Sequence, residues 1–323
     1  MLLFTQSFCQ IQELLRCLQQ YRSFRCNFCR VVGPFILAVW LWAPIASTAL
    51  AQSPVSGLTP VQFEKLVAQL KTIYDERQPD VVLFGENHCQ MQPYEFLAAE
   101  TTIAMHAEAH FVGAFVEEPA ETQPWYDRII ANSLVKDPTP EQRRAAEALD
   151  EKMIKAEVNS VAVDCPPGVT RARAVADVTI AKRLAAHDMA YRASDYTGGA
   201  SDALQEQFAN TQDPTLRKQF DAVRLDERRA AKVIRAVISV GHVFVIRGTK
   251  HFLQKSDTAM RENLAGLKVL TFIFDYTGRT VDDLDVQIKK AGFFAFNPPD
   301  YVIDVTPQHA GIYPWPEGRR ASK

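Results

Sequence analysis

Asp80-Val81-Val82-Leu83-Phe84-Gly85-Glu86-Asn87-His88 sets four apolar residues in a row, then a glycine and three polar groups. So short a run, rich in β-branched residues, reads as a strand, and its unbroken apolarity means burial on both faces. Upstream, Thr59-Pro60-Val61-Gln62 reads as a helix start, with Thr59 as N-cap, Pro60 at the first helical position and Gln62 completing a capping box. Phe63, Leu66, Val67, Leu70 and Ile73 then recur at spacings of three and four, predicting a helix to about Asp75.

The same alternation continues downstream. A helical pattern from about Tyr94 to Ala109 precedes the apolar run Phe111 to Val116, and helices between Thr122 and Glu157 precede Val158 to Val163. A helix from Arg171 to about Ala186, a polar stretch around Gly198-Gly199 and a long charged helix from about Leu216 to Ile238 follow. Further strands are expected at His242 to Ile246, Lys268 to Phe274 and Tyr301 to Val305. Apolar strands separated by helices predict an α/β fold, a mostly parallel central sheet with helices on both faces. The runs at Val81, Val112, Val158, Val243 and Val269 are expected to share that sheet.

The first fifty residues read differently. Val31 to Leu50 carries no charge, and its apolar core, Phe35 to Trp42, is much shorter than the roughly 20 residues a bilayer span needs. Arg16, Arg22, Arg25 and Arg30 precede it, and Ala49-Leu50-Ala51 is a small-x-small site, so residues 1–51 are expected to be a signal peptide cleaved before Gln52. Residues 52–323 then form one domain in a periplasmic or secreted protein, with no stable membrane span after cleavage. Cys9, Cys17, Cys26 and Cys29 leave with the signal, so only Cys89 and Cys165 remain. Of 36 basic and 38 acidic residues, the segment removes four arginines and Glu13, leaving 32 and 37 and a net charge of −5. That balance argues against nucleic acid or an anionic membrane surface as the main partner; the expected partner is a small-molecule ligand or substrate.

In parallel sheets chemistry collects beyond the carboxyl ends of the strands. The runs end in Gly85-Glu86-Asn87-His88, Glu117-Glu118-Pro119, Asp164-Cys165 and Gly248-Thr249-Lys250-His251. Two histidines and two or three acids on one edge suit general acid–base work on water. They equally suit a divalent metal held through nitrogen and oxygen. Glu117 and Glu118 also suit the start of a helix, whose dipole favours acids. His106 and His110 stand at i, i+4 without an adjacent Glu, and with His187, His242 and His309 they are read as structural.

Taken in order, Gly85-Glu86-Asn87-His88, Glu117, Asp177-Val-Thr-Ile-Ala181 and Gly248-Thr-Lys-His251 resemble the superfamily grouping ChaN-type haem-binding lipoproteins, erythromycin esterases and Tiki/TraB proteins. The resemblance spans about Val81 to Val305 and implies an EreA/ChaN-like α/β domain. It implies that Glu86, His88, Glu117 and His251 line one pocket, a metal if present being held by those four. The esterase branch uses its His to activate water, the Tiki branch is thought to bind metal there, and the ChaN branch binds haem. Two departures stand out. The Arg that usually precedes the helix acid is replaced by Ala176, with Arg173 one turn earlier and able to pair with Asp177, and the lipoprotein cysteine is absent.

Two functions follow. In one the protein is a hydrolase: His88 is the general base toward water, Glu86 orients it, and His251 with Glu117 stabilises charge or shares the proton, supported by Asp177, Arg173 and Glu118. In the other it binds haem or another ligand without turnover. Haem iron takes a His, Tyr or Met, and Met91 and Tyr94 follow His88, though both also suit packing in a helix's first turn.

Overall fold

The computed structural model describes residues 58–86, 94–160, 167–196, 213–275 and 297–315, with positions 203, 204, 207 and 211. All of them belong to the compact unit Ala49–Lys323. The expected signal peptide, His88, Cys89, Met91, Asp164, Cys165 and the Gly198-Gly199 stretch lie outside the described residues.

Helix α1 (Pro60–Arg77) starts as the sequence predicts. Thr59 N–H donates to Gln62 Oε1 at 2.8 Å, and Gln62 N–H donates to Thr59 Oγ1 at 3.3 Å. Its Leu66, Leu70 and Tyr74 are buried. Strand β1 (Val81–Glu86) follows, then α2 (Tyr94–Met105), β2 (Phe111–Pro119), α3 (Gln123–Ser133), α4 (Pro140–Ser160), α5 (Pro167–Ala186) and β3 (Ala190–Asp195). The second half holds α6 (Pro214–Arg224), α7 (Arg228–Ile238), β4 (His242–Gly248), α8 (Lys250–Leu253), α9 (Met260–Asn263), β5 (Val269–Asp275), β6 (Tyr301–Asp304) and β7 (Gly311–Pro314).

The seven strands form one sheet in the order β3-β2-β4-β1-β5-β6-β7, and every neighbouring pair is parallel except β6 and β7. Strand β1 lies between β4 and β5, so all six of its residues are buried. Two apolar clusters cover the faces. The larger joins Val82, Phe84, Val116, Phe244 and Phe272 to helices α1 to α5; the smaller joins Leu83, Phe115 and Val245 to Ile234, Phe252 and Met260 of α7 to α9. Each such side chain, fully buried, contributes about 1.5–3 kcal/mol. Gly113 lets β3 approach β2, because a Cβ there would stand 2.5 Å from the Ala190 carbonyl oxygen.

Three expectations need correction. Val158 is not in the sheet: α4 runs through to Ser160, because Leu149, Met153, Ile154 and Val158 continue a helical stripe against the larger cluster. The edge strand is instead β3, whose mixed sequence Ala-Tyr-Arg-Ala-Ser-Asp lies between the expected helix and the polar stretch around Gly198-Gly199 and has no strand expected in it. Edge strands need no continuous apolar run. The charged helix expected over Leu216 to Ile238 is two helices, broken at Leu225-Asp226-Glu227. There the Glu227 N–H donates to the Thr258 carbonyl at 2.8 Å and its side chain turns inward.

Candidate functional site

Strands β1 and β4 end level, Glu86 opposite Gly248, while β2 runs on to Pro119. Thr249 N–H and Oγ1–H both donate to the Glu86 carbonyl oxygen at 2.9 Å, tying the turn after β4 to the end of β1. Gly85 permits this, since a Cβ there would meet the Thr249 backbone at 3.2 Å. The short helix α8 then points His251 back beneath the sheet edge, where it is 3% exposed.

Both ring nitrogens of His251 meet carboxylates. Nε2 lies 2.9 Å from Glu117 Oε1, and Nδ1 bonds Glu227 Oε1. Carboxylates accept, so the ring donates twice and is an imidazolium. Burial opposes that charge, but Glu117 and Glu227 outweigh it and raise the pKa from 6.5 to about 9. Glu117 also accepts from the Gly248 N–H at 2.6 Å and from Arg224 at 3.4 Å. Glu227 also accepts from Arg247 Nη1 at 3.2 Å, and Arg247 continues to the carbonyl and hydroxyl of Ser194 on β3. The Ser194 hydroxyl donates onward to the Val116 carbonyl at 2.8 Å. Glu227, Arg247 and His251 are all buried, so the chain of charges ties β2, β3, β4, α7 and α8 together below the strand ends.

A second cluster occupies the opposite face. Successive strand residues point to opposite sides, so Glu118 leaves Glu117 and joins the face of the larger apolar cluster. Arg173 on α5 lies 3.4 Å from Glu118 and 3.9 Å from Asp177, the i, i+4 pairing expected from the sequence. Glu157 of α4 completes the group: Glu118, Glu157 and Asp177 each place one oxygen within 4.8 Å of the others, and all three are buried.

The expected residues are thus divided. Glu117 and His251 meet. Glu118, Arg173 and Asp177 meet elsewhere. Glu86 is buried, and alternation along β1 puts its side chain with Phe84, on the Glu118 face. His88 lies outside the described residues. Of the four residues named for a metal, the structure brings Glu117 and His251 into contact, with both His251 ring nitrogens on carboxylates. His242, read as structural, donates from Nδ1 to the Pro79 carbonyl at 2.9 Å. Sequence reasoning missed Glu227, Arg247 and Glu157. Arg247 carried a signal: a cation closing the apolar run Val-Phe-Val-Ile needs a buried partner. Glu227 and Glu157 sit in charged helical sequence and carried none.

No helix among the described residues is long and apolar enough to cross a membrane. No family model and no curated protein matches the chain. Among solved structures the chain is similar to one described as showing cofacial haem binding to ChaN of Campylobacter jejuni, at 12% identity over 65% of this chain and 87% of that one, with a TM-score of 0.38.

Proposed function

We propose that the protein binds a small-molecule ligand, haem being the first candidate, at the carboxyl edge of the sheet, and does not turn it over. The observation that carries this reading is the state of His251. Sharing proton work with His88 needs a free lone pair near neutral pH, and His251, 3% exposed and held charged between two carboxylates, has none and is closed off from a substrate. The Glu117, His251, Glu227 and Arg247 network then serves as a rigid floor under the strand ends. His251 does not fit an iron-ligand role for the same reason. The axial group belongs to the segment holding His88, Met91 and Tyr94, the residues whose chemistry suits haem iron.

Titrating the purified protein with haem tests the reading. A saturable Soret band distinct from free haem is expected, weakened by His88→Ala or Tyr94→Phe, with hydrolysis of a p-nitrophenyl ester at background. A free-haem spectrum throughout, together with ester hydrolysis that His88→Ala abolishes, restores the hydrolase reading.

The same proposal includes export, with the mature chain starting at Gln52, because the uncharged segment and the Ala49-Leu50-Ala51 site occur together. N-terminal sequencing of exported protein should read Gln-Ser-Pro-Val. An intact Met1 on cytoplasmic protein overturns it.

A further inference from the structure

The turn between α6 and α7 carries arginines that border the carboxyl edge of the sheet. Arg224 closes α6, and its Nη2 lies 3.4 Å from Glu117 Oε1. That carboxylate is already engaged by the fold. Nε2 of His251 stands 2.9 Å from the same oxygen, and the Gly248 N–H donates to the other at 2.6 Å. A full charge-assisted hydrogen bond measures roughly 2.7–2.9 Å, so Arg224 is the loosest of these three donors. Its side chain is 38% exposed, against 3% for His251 and 2% for Arg247. Of the three cations tied to Glu117 and Glu227, Arg224 is thus the one that a ligand in solvent can reach.

A second guanidinium stands at the end of the neighbouring strand. Arg229, the second residue of α7, is exposed, and its Cζ lies 4.4 Å over the ring of Tyr196. Tyr196 follows the last residue of β3, where Asp195 pairs with Pro119 at the end of β2. It packs against the smaller apolar cluster, the face that also receives Phe115 of β2. Among the described residues Arg229 makes no ion pair with a carboxylate. Contact over an aromatic ring leaves the N–H fork of a guanidinium open to a planar acceptor. Arg224 and Arg229 therefore present donors at the carboxyl ends of β2 and β3.

We infer that the ligand of this edge is an anion held through carboxylate groups, with Arg224 and Arg229 as the residues that select for them; the inference rests on the ligand reading above. Arginine suits the task, since its fork matches a carboxylate in a bidentate pair. Haem meets the requirement through its ionised propionates. A porphyrin of the same shape without free carboxylates does not.

The test compares haem with its dimethyl ester, which keeps the macrocycle and iron but loses the carboxylates, by Soret titration of the purified protein. The parent should bind haem about tenfold or more tighter than the ester, and salt at about 0.5 M should shrink that preference. Arg224→Gln and Arg229→Gln should each weaken haem binding by about threefold to tenfold, the effect of losing one partly exposed charged contact, and leave the ester's affinity unchanged. Lys232→Gln, which removes an exposed charge further along α7, should change neither affinity. Equal affinities of the parent for haem and ester overturn this inference while the ligand reading stands. Free-dye spectra with both compounds overturn the ligand reading and the inference together. An Arg224→Gln, Arg229→Gln double variant that keeps the parent's preference overturns the inference as well.

Discussion

Replacing Glu227 with alanine should cost about 3–5 kcal/mol of unfolding free energy, the usual loss when one partner of a buried charge pair is removed. Glu227 is 2% exposed and bonds both Arg247, at 3.2 Å, and Nδ1 of His251. Without it, among the described residues, the Arg247 guanidinium is left with the neutral groups of Ser194 and His251 with Glu117. Two cations in a dry interior would then lose the carboxylate they share. Replacing Arg247 by Met in the same background removes one stranded charge and should recover part of the loss. Urea unfolding of the parent and the two variants measures this. A loss below about 1 kcal/mol for Glu227→Ala, the range of an exposed ion pair, contradicts a buried network.

The second large effect is on pH dependence. The pKa of His251 is raised from 6.5 to about 9 in the folded protein. A group whose folded pKa lies above its unfolded value binds its proton more tightly when folded, so it stabilises most when protonated in both states. The contribution is fully present below about pH 6.5, falls between about pH 6.5 and 9, and is gone above that; its size is roughly 3 kcal/mol. Subtracting the unfolding free energy of His251→Gln from that of the parent at each pH isolates it from other titrating groups. The difference should shrink steadily from pH 6 to pH 10. A difference that stays flat, or a ring resonance titrating near the ordinary histidine value, means that the imidazole is neutral and available for proton transfer. The ligand reading would then lose the observation that carries it.

The sequence by itself determined the elements whose signals are local. β1, β4 and β5 are unbroken apolar runs because central parallel strands are buried on both faces, and that burial is written in consecutive residues. The start of α1 was equally legible, since a capping box satisfies backbone groups with residues three apart. The Arg173–Asp177 pairing followed from helical spacing alone. The placement of His251 just beyond the end of β4 rested on the same local patterns, whereas Glu117 and Glu118, expected past the end of their strand, lie within β2.

Only the tertiary structure decided which of these groups meet. The Val158 run carries enough β-branched character for a strand, but its side of α4 faces an apolar cluster, and packing overrode propensity. Glu117 and Glu118 are chemically identical neighbours. Strand pleating sends one toward His251 and the other toward Arg173, and the sheet's position between two helical layers makes both places dry. Glu227 lies 20 residues from Arg247 and 24 from His251. No spacing rule couples residues across a helix and a strand. The coupling exists because three charges share one desolvated volume, where each can be tolerated only through the others.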